Sequence, residues 1–225
     1  MTCLLRRFYA VRLTAAFAAC MASQATAATL MIDGIEFVDG EAAFADGLVE
    51  LSFGTPAPTS TNFLDGTSTL GVPDYPGGSN GTGSVSLGNG GFIILKFTDN
   101  VLTTSGTDSD DLFVFEVGPS VERTAVEIGT AAGTFYSVGD VAGSLSSIDI
   151  DAFDLGGNTE FTFVKLTDSF FTGEAGGTVG ADIDAVGAIS SRLVTDDPDD
   201  DQDDNGINPV PLPATGILLI AGLAG

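Results

Sequence analysis

The chain has 225 residues, with 31 acidic side chains against seven basic ones and a formal net charge of −24 at pH 7. This length allows one globular domain with end segments, and the negative charge argues against nucleic acid as a partner. Histidine is absent and both cysteines, Cys3 and Cys20, lie near the N-terminus, which excludes Ser-His-Asp or Cys-His catalysis and typical zinc sites beyond that end.

Residues 1–27 have the pattern of a secretory signal peptide. A basic stretch ends at Arg12, an apolar run follows, and Ala25-Thr26-Ala27 supplies the small residues of a cleavage site. A lipoprotein cysteine at Cys20 is the competing interpretation, but Phe17 stands where such signals carry a leucine-like residue. Removal of the segment takes away both cysteines, so the exported protein is expected to contain no disulfide.

Residues 28–194 predict an all-β domain. Short runs rich in Val, Ile, Phe and Thr are bounded by Gly, Asn, Asp or Pro, and no stretch keeps a helical period over three turns. This spacing favours an antiparallel β-sandwich. The predicted strands are Thr29–Val38, Leu48–Phe53, Gly83–Leu87, Phe92–Asp99, Leu112–Val117, Thr124–Ile128, Thr134–Val138, Ser146–Ala152, Phe161–Thr167 and Asp182–Ile189.

Two long loops interrupt the strands, one over residues 54–82 and one over residues 170–180. Long loops in compact domains are often binding loops. Tyr75, in a turn of the first loop, is the candidate residue for stacking on a sugar. The alternative is a loop tyrosine that packs on its own turn.

Four fragments in a fixed order carry a resemblance to a known class of domain. They are Asp111–Gly118, Ala125–Gly129 with Phe135–Gly139, Phe163–Asp168, and Gly180–Ala188. Together they resemble the galactose-binding-like β-jelly-roll domains of exported bacterial surface proteins. The resemblance implies a jelly roll, and in related carbohydrate-binding domains an acid of the last strand often helps to hold a structural Ca²⁺. Sugar-binding members usually display exposed Trp or Tyr, whereas this chain has no Trp.

Acids at the predicted strand ends make Ca²⁺ the candidate cofactor. Ca²⁺ takes about six to eight oxygen ligands, and side chains two residues apart on a strand share a face. Asp149 and Asp151 have this spacing, as does the acid pair of the last strand. The predicted metal ligands are Asp184, Asp182, Glu116 and Asp111. The alternative is that these acids are solvated or cap turns.

Residues 195–209 predict an acidic, disordered linker. Asp196–Gly206 contains no apolar residue and is expected to be solvated and extended. Asp201, Asp203 and Asn205 match the opening of an EF-hand loop, but Leu212 stands where the last ligand, a Glu, belongs. A charged spacer is therefore the expected role.

Residues 210–225 form a candidate sorting tail. The motif consists of Val210, Pro211, Leu212, Pro213 and Ala214. It is similar to the VPLPA variety of bacterial PEP-CTERM tails, in which a hydrophobic helix and a basic cluster follow the motif. The resemblance implies processing by an exosortase-type membrane protease. Thr215–Gly225 would form a helix about 16 Å long, against about 20 residues for a full span, and no basic residue follows it. A partial membrane anchor is expected, and an apolar tail packed on the domain is the alternative.

The order of these segments predicts a non-enzymatic protein that is exported, held briefly at the membrane, and then placed on the cell surface or in the extracellular matrix. Extracellular polysaccharide is its expected partner. A Ca²⁺-dependent carbohydrate-binding module is the alternative. A glycan-active enzyme would need a carboxylate pair and positioning groups such as Trp, His or Arg, which are scarce or absent here.

Overall fold

The computed structural model describes residues 28–77, 82–118, 121–143, 146–156, 159–169 and 175–194. The predicted leader, the acidic linker and the sorting motif lie outside these residues. The strands are β1 (Leu30–Ile32), β2 (Ile35–Phe37), β3 (Gly47–Ser52), β4 (Val85–Ser86), β5 (Phe92–Lys96), β6 (Asn100–Leu102), β7 (Leu112–Glu116), β8 (Val121–Gly129), β9 (Phe135–Gly143), β10 (Ser147–Ile148), β11 (Phe163–Asp168), β12 (Asp182–Ala188) and β13 (Ser191–Leu193).

Helical structure in the described residues is limited to four short 3₁₀ segments. These are Gly40–Ala43, Thr61–Phe63, Gly66–Thr69 and Asp151–Phe153. None of the described helices is long and apolar enough to cross a membrane. Chain contacts divide the protein into one unit that ends at Val194 and a second from Thr195 to Gly225.

Two antiparallel sheets form the body of the domain. One has the order β10-β7-β12-β4 and the other has the order β3-β5-β11-β8-β9. The pairing is nested, because β4 pairs with β12, β5 with β11, β7 with β10, and β8 with β9. The chain therefore crosses repeatedly from one sheet to the other.

The main apolar core lies between the two sheets. Ile183 and Val186 of β12 contribute from the four-stranded sheet, and Leu95 and Leu166 contribute from the five-stranded sheet, all fully buried. Full burial of such side chains stabilises the fold by about 1.5–3 kcal/mol each. The prediction of an all-β domain with antiparallel sheets is confirmed, in a sandwich-like arrangement.

A second apolar cluster covers the outer face of the four-stranded sheet. Phe37 and Phe44, from the hairpin β1–β2 and the segment after it, pack against Phe115 of β7 and Ala185 of β12. The centroids of the Phe37 and Phe44 rings lie 4.7 Å apart. As a result β12 is covered on both faces, which explains why almost all of its residues are buried.

The structure differs from the sequence prediction at both ends of the domain. The predicted strand Thr29–Val38 is instead the hairpin β1–β2, because Asp33 and Gly34 both have positive φ, the conformation of a tight hairpin turn. Strands β6 and β13, which pair with each other, were not predicted. They are only three residues long, too short for an alternating pattern to mark them.

We predict that Gly187→Ala destabilises the protein by about 1–3 kcal/mol, because an added Cβ would overpack the second cluster. The new atom would lie 2.6 Å from Phe37 Cε1 and 3.0 Å from Phe44 Cε1. Gly177→Ala is the matched control, since its Cβ would meet only Ser60 Cβ at 3.6 Å. Denaturant unfolding of both variants measures the difference, and equal free energies of unfolding would refute this packing.

Candidate functional site

Asp184 holds the turn that carries Tyr75 against the four-stranded sheet. Its Oδ1 accepts a hydrogen bond from the backbone N–H of Asp74 at 3.1 Å, and its Oδ2 accepts one from the N–H of Tyr75 at 3.4 Å. Asp184 sits at a β-bulge, because the register with β7 shifts between Ile183 and Ala185. The bulge breaks the simple alternation expected for this strand: Ile183 packs in the main core and Ala185 in the second cluster.

Two adjoining cavities have Tyr75 in their lining. The larger, of about 500 Å³, is lined by the acids Asp33, Asp74, Glu116 and Asp184 and contains no basic residue in its lining. The smaller, of about 370 Å³, includes Asp182. Both share Tyr75, Val117 and Gly118. We call the two cavities together the Tyr75 cleft. It brings Tyr75 together with three of the four predicted metal ligands.

Burial raises the pKa values of three carboxyl groups that line this cleft, those of Glu116, Asp182 and Asp184. Burial raises the pKa of Glu116 to about 8, although the N–H of Glu122 donates to both of its oxygens, at 2.9 and 2.8 Å. Burial also raises the pKa of Asp182 to about 6, opposed by a hydrogen bond from Ser86. It raises the pKa of Asp184 to about 6 as well, opposed by the N–H groups of Asp74 and Tyr75.

Glu122 adds a further acid, half-buried, at the start of β8. Burial raises the pKa of Glu122, and the negative charges of Asp182 and Asp168 raise it further. These acids cannot all ionise without mutual repulsion. The cleft is therefore suited to storing protons or receiving a cationic group, and perturbed acids in a cleft are typical of functional sites.

A second acidic group lies at a different place in the domain. Ligand oxygens of Asp111, Asp149 and Asp151 all lie within 4.8 Å of one another, the single such acid group found among the described residues. Asp111 is fully buried at the start of β7. Its Oδ1 accepts from the N–H of Ser105 at 2.7 Å, and its Oδ2 accepts from the N–H of Ile150 at 2.9 Å.

The other two carboxylates of this group differ in how their oxygens are satisfied. Asp151 Oδ2 accepts from the N–H of Gly106 at 2.7 Å and from the hydroxyl of Ser105 at 3.2 Å. Asp149 Oδ1 is buried and has no hydrogen-bond partner within the described part of the chain. A buried acceptor without a partner is costly, and a cation bound by the three carboxylates would satisfy it.

The predicted metal ligands are thus divided between two places. The Tyr75 cleft is lined by Glu116, Asp182 and Asp184. Their carboxylate oxygens do not form a group of three close enough to share one metal ion. Asp111 joins Asp149 and Asp151, which the sequence marked only as a second acid pair. The signal that could have ranked this pair higher is the fully buried Ile150 between them, which fixes both acids beside the core.

We predict that Glu116→Gln makes the protein more stable at pH 9 than the unaltered protein, by about 1–2 kcal/mol after solvent screening at this half-buried position. The folded protein holds the Glu116 proton more tightly than the unfolded chain, whose value is near 4.5. Stability contributed by this group is therefore full below pH 4.5 and lost as the pH rises through about 8.

Thermal melts between pH 4 and pH 9 measure this effect. The exposed Glu36 of β2 supplies the control variant, Glu36→Gln. A stability difference for Glu116→Gln that does not change with pH would show that the proton is not held there.

Comparison with known proteins supplies no relative from which a role could be transferred. No protein-family model matches this chain, and no curated protein matches it either. The features that bear on function are therefore the two acidic sites, the fold and the segments that flank the domain.

Proposed function

We propose that this chain is a non-enzymatic, exported protein of the cell surface or extracellular matrix, delivered by its C-terminal sorting motif and associated with extracellular polysaccharide. The observation that carries the proposal is the pentapeptide Val210–Ala214, which follows an acidic spacer and precedes an apolar segment. The leader-like pattern of residues 1–27 supports the same route. An exosortase-type membrane protease is the partner that this motif implies.

The strand order supports a jelly roll as the finer fold assignment. In a jelly roll of eight strands, a long hairpin is rolled up so that the first strand pairs with the last and each inner pair follows the same rule. The pairs β4·β12, β5·β11, β7·β10 and β8·β9 have this nesting. Strand β3 extends the second sheet at its edge.

A structural Ca²⁺ is the cofactor we propose, at Asp111, Asp149 and Asp151 rather than at the Tyr75 cleft. The three converging carboxylates and the unpartnered Oδ1 of Asp149 support this choice. A bound Ca²⁺ would tie the loop before β7 to the turn after β10. Because oxygens alone are offered, a hard cation fits better than zinc or copper.

Ca²⁺ is expected to raise the melting temperature, with a stabilisation of about 1.4 kcal/mol when the free ion is at ten times its Kd. Asp149→Asn should remove most of this gain, because it takes a charge from the group while keeping the shape. Asp184→Asn serves as the control, since Asp184 lies in the Tyr75 cleft. Differential scanning calorimetry with Ca²⁺, Mg²⁺ and a chelator makes the measurement. A melting temperature that does not change with Ca²⁺, or a Ca²⁺-dependent rise that is lost only in Asp184→Asn, would contradict the assignment.

The sorting proposal predicts that Pro211→Ala combined with Pro213→Ala blocks processing of the tail. The prolines keep the motif extended and accessible to a protease. The full chain would be expressed in a bacterium that carries an exosortase-type protease, followed by fractionation and mass spectrometry. The altered protein should stay unprocessed in the membrane fraction. Pro209→Ala, just outside the motif, is the control. Identical processing of the unaltered chain, the double variant and this control would contradict the proposal.

A Ca²⁺-dependent carbohydrate-binding module is the second candidate function. Tyr75 favours it, because it lines two cavities whose acids could hydrogen-bond sugar hydroxyls. Its ring packs 6.4 Å from Phe63, which would hold it in place for stacking. A glycan array probed with and without a chelator separates this function from the first.

A further inference from the structure

The outer face of the five-stranded sheet has a composition unlike the rest of the domain. Residues that alternate with the buried core positions on these strands face outward. The second apolar cluster, which covers the other sheet, has no member on this face. The outward residues include Val49 and Glu50 on β3, Phe92, Ile94 and Lys96 on β5, Arg123, Glu127 and Gly129 on β8, Phe135 and Asp140 on β9, and Phe163 and Lys165 on β11.

Both lysines of the chain, Lys96 and Lys165, lie on this face. Lys165 Nζ is 2.6 Å from Glu127 Oε2 and 5.4 Å from the centre of the Phe92 ring. The strand register sets Glu127, Lys165, Ile94 and Glu50 in one row across the sheet. Arg123 and Asp140 form a further ion pair on this face, with 2.7 Å between Nη2 and Oδ2. Three basic side chains therefore balance three acidic ones here, in a chain that carries 31 acidic side chains against seven basic ones.

Apolar side chains fill the positions between these charges. The Phe135 ring lies over Gly129, where an added Cβ would meet it at 2.8 Å, and it lies 6.2 Å from the Phe163 ring. Val49 is 53% exposed, because a bulge in β3 turns it outward while Leu48 and Leu51 pack on the core. Phe92, Ile94, Phe135 and Phe163 are half-buried, so each still offers apolar area to solvent. Apolar groups clustered on one solvent-facing surface are a feature of interaction surfaces.

We propose that this face is where two copies of the chain associate, sheet against sheet. A two-fold interface must be complementary to itself, and a row with a lysine between two glutamates allows Lys165 of each copy to meet a glutamate of the other. Over most of the remaining surface, excess negative charge opposes contact between copies. The balanced face removes that opposition locally and offers apolar area for burial.

This arrangement gives the association a distinctive salt dependence. Repulsion between the acidic bodies acts at long range, and the screening length falls from about 10 Å at 0.1 M salt to about 3 Å at 1 M. Burial of Val49, Ile94 and Phe163 does not weaken with salt. The dimer should therefore form more strongly as salt rises, whereas an interface held by ion pairs would weaken.

Sedimentation velocity of the full chain, at several concentrations in low and high salt, tests the proposal. Val49→Glu should shift the protein to monomer by placing an unbalanced negative charge on the face. Val38→Glu is the matched control, because Val38 is also 53% exposed but lies after β2, on the side of the other sheet. Lys165→Glu is the second variant and should also give monomer. Circular dichroism melts establish that each variant is folded.

A dimer that strengthens with salt, survives Val38→Glu and is lost in both other variants supports the proposal. A monomer at all salt and protein concentrations overturns it. So does association that persists in Val49→Glu and Lys165→Glu, which would place the contact elsewhere, including the apolar C-terminal segment. The proposal does not rest on export or on Ca²⁺, so neither result bears on the function proposed above.

Discussion

The fold depends on the burial of β12 between two apolar layers. Ile183 and Val186 pack into the core between the sheets, while Ala185 and Gly187 support Phe37 and Phe44 on the other side. A strand covered on both faces needs apolar residues at nearly every position. It also needs one position without a side chain, Gly187, where two rings approach the backbone. The bulge at Asp184 is what allows one acid to leave this sequence of buried residues and reach the turn at Tyr75.

Desolvation and hydrogen bonding compete at each buried acid, and the balance differs between the two sites. At Asp111 each carboxylate oxygen accepts from a different backbone N–H, so the buried group is matched by donors from two loops. At Glu116 the N–H of Glu122 donates to both oxygens and the N–H of Asp182 also donates to the carboxyl group, but desolvation outweighs these bonds. The hydrogen bonds of Asp111 hold two loops together. The charged form of Glu116, in contrast, is disfavoured by burial, and binding a proton or a cation would remove that cost.

Much of the fold follows from local sequence pattern, and the rest depends on contacts between distant segments. Strands such as Phe92–Lys96 and Phe163–Asp168 are long enough for alternation to mark them. The pair β6 and β13 is not, because its three-residue strands are defined only by each other. The hairpin β1–β2 was readable in principle, since Asp33-Gly34 is a strong turn signal that the run of β-favouring residues around it concealed.

The candidate sites show the same limit. Spacing in the sequence identified Asp182 and Asp184 as a pair, but spacing along one strand cannot say which acids of other strands converge on it. Asp111 meets Asp149 and Asp151 because β7 pairs with β10, a contact between segments far apart in the chain. Tyr75 reaches the acids because a loop folds back onto β12. Neither approach leaves a local pattern.

The excess of acidic side chains makes the stability of the fold, the contact between copies and the Asp111 group all depend on the ions in solution. Ions in the medium screen the repulsion that the acidic side chains exert on one another, which favours the compact state and permits close approach of two copies. A divalent cation would do more than screen where three carboxylates already converge, because it would also satisfy the buried oxygen of Asp149. In a salt-rich medium, the composition that would weaken this domain in dilute solution becomes compatible with the folded state. The described residues contain no cysteine, so the buried apolar clusters and the hydrogen bonds hold them together without a disulfide.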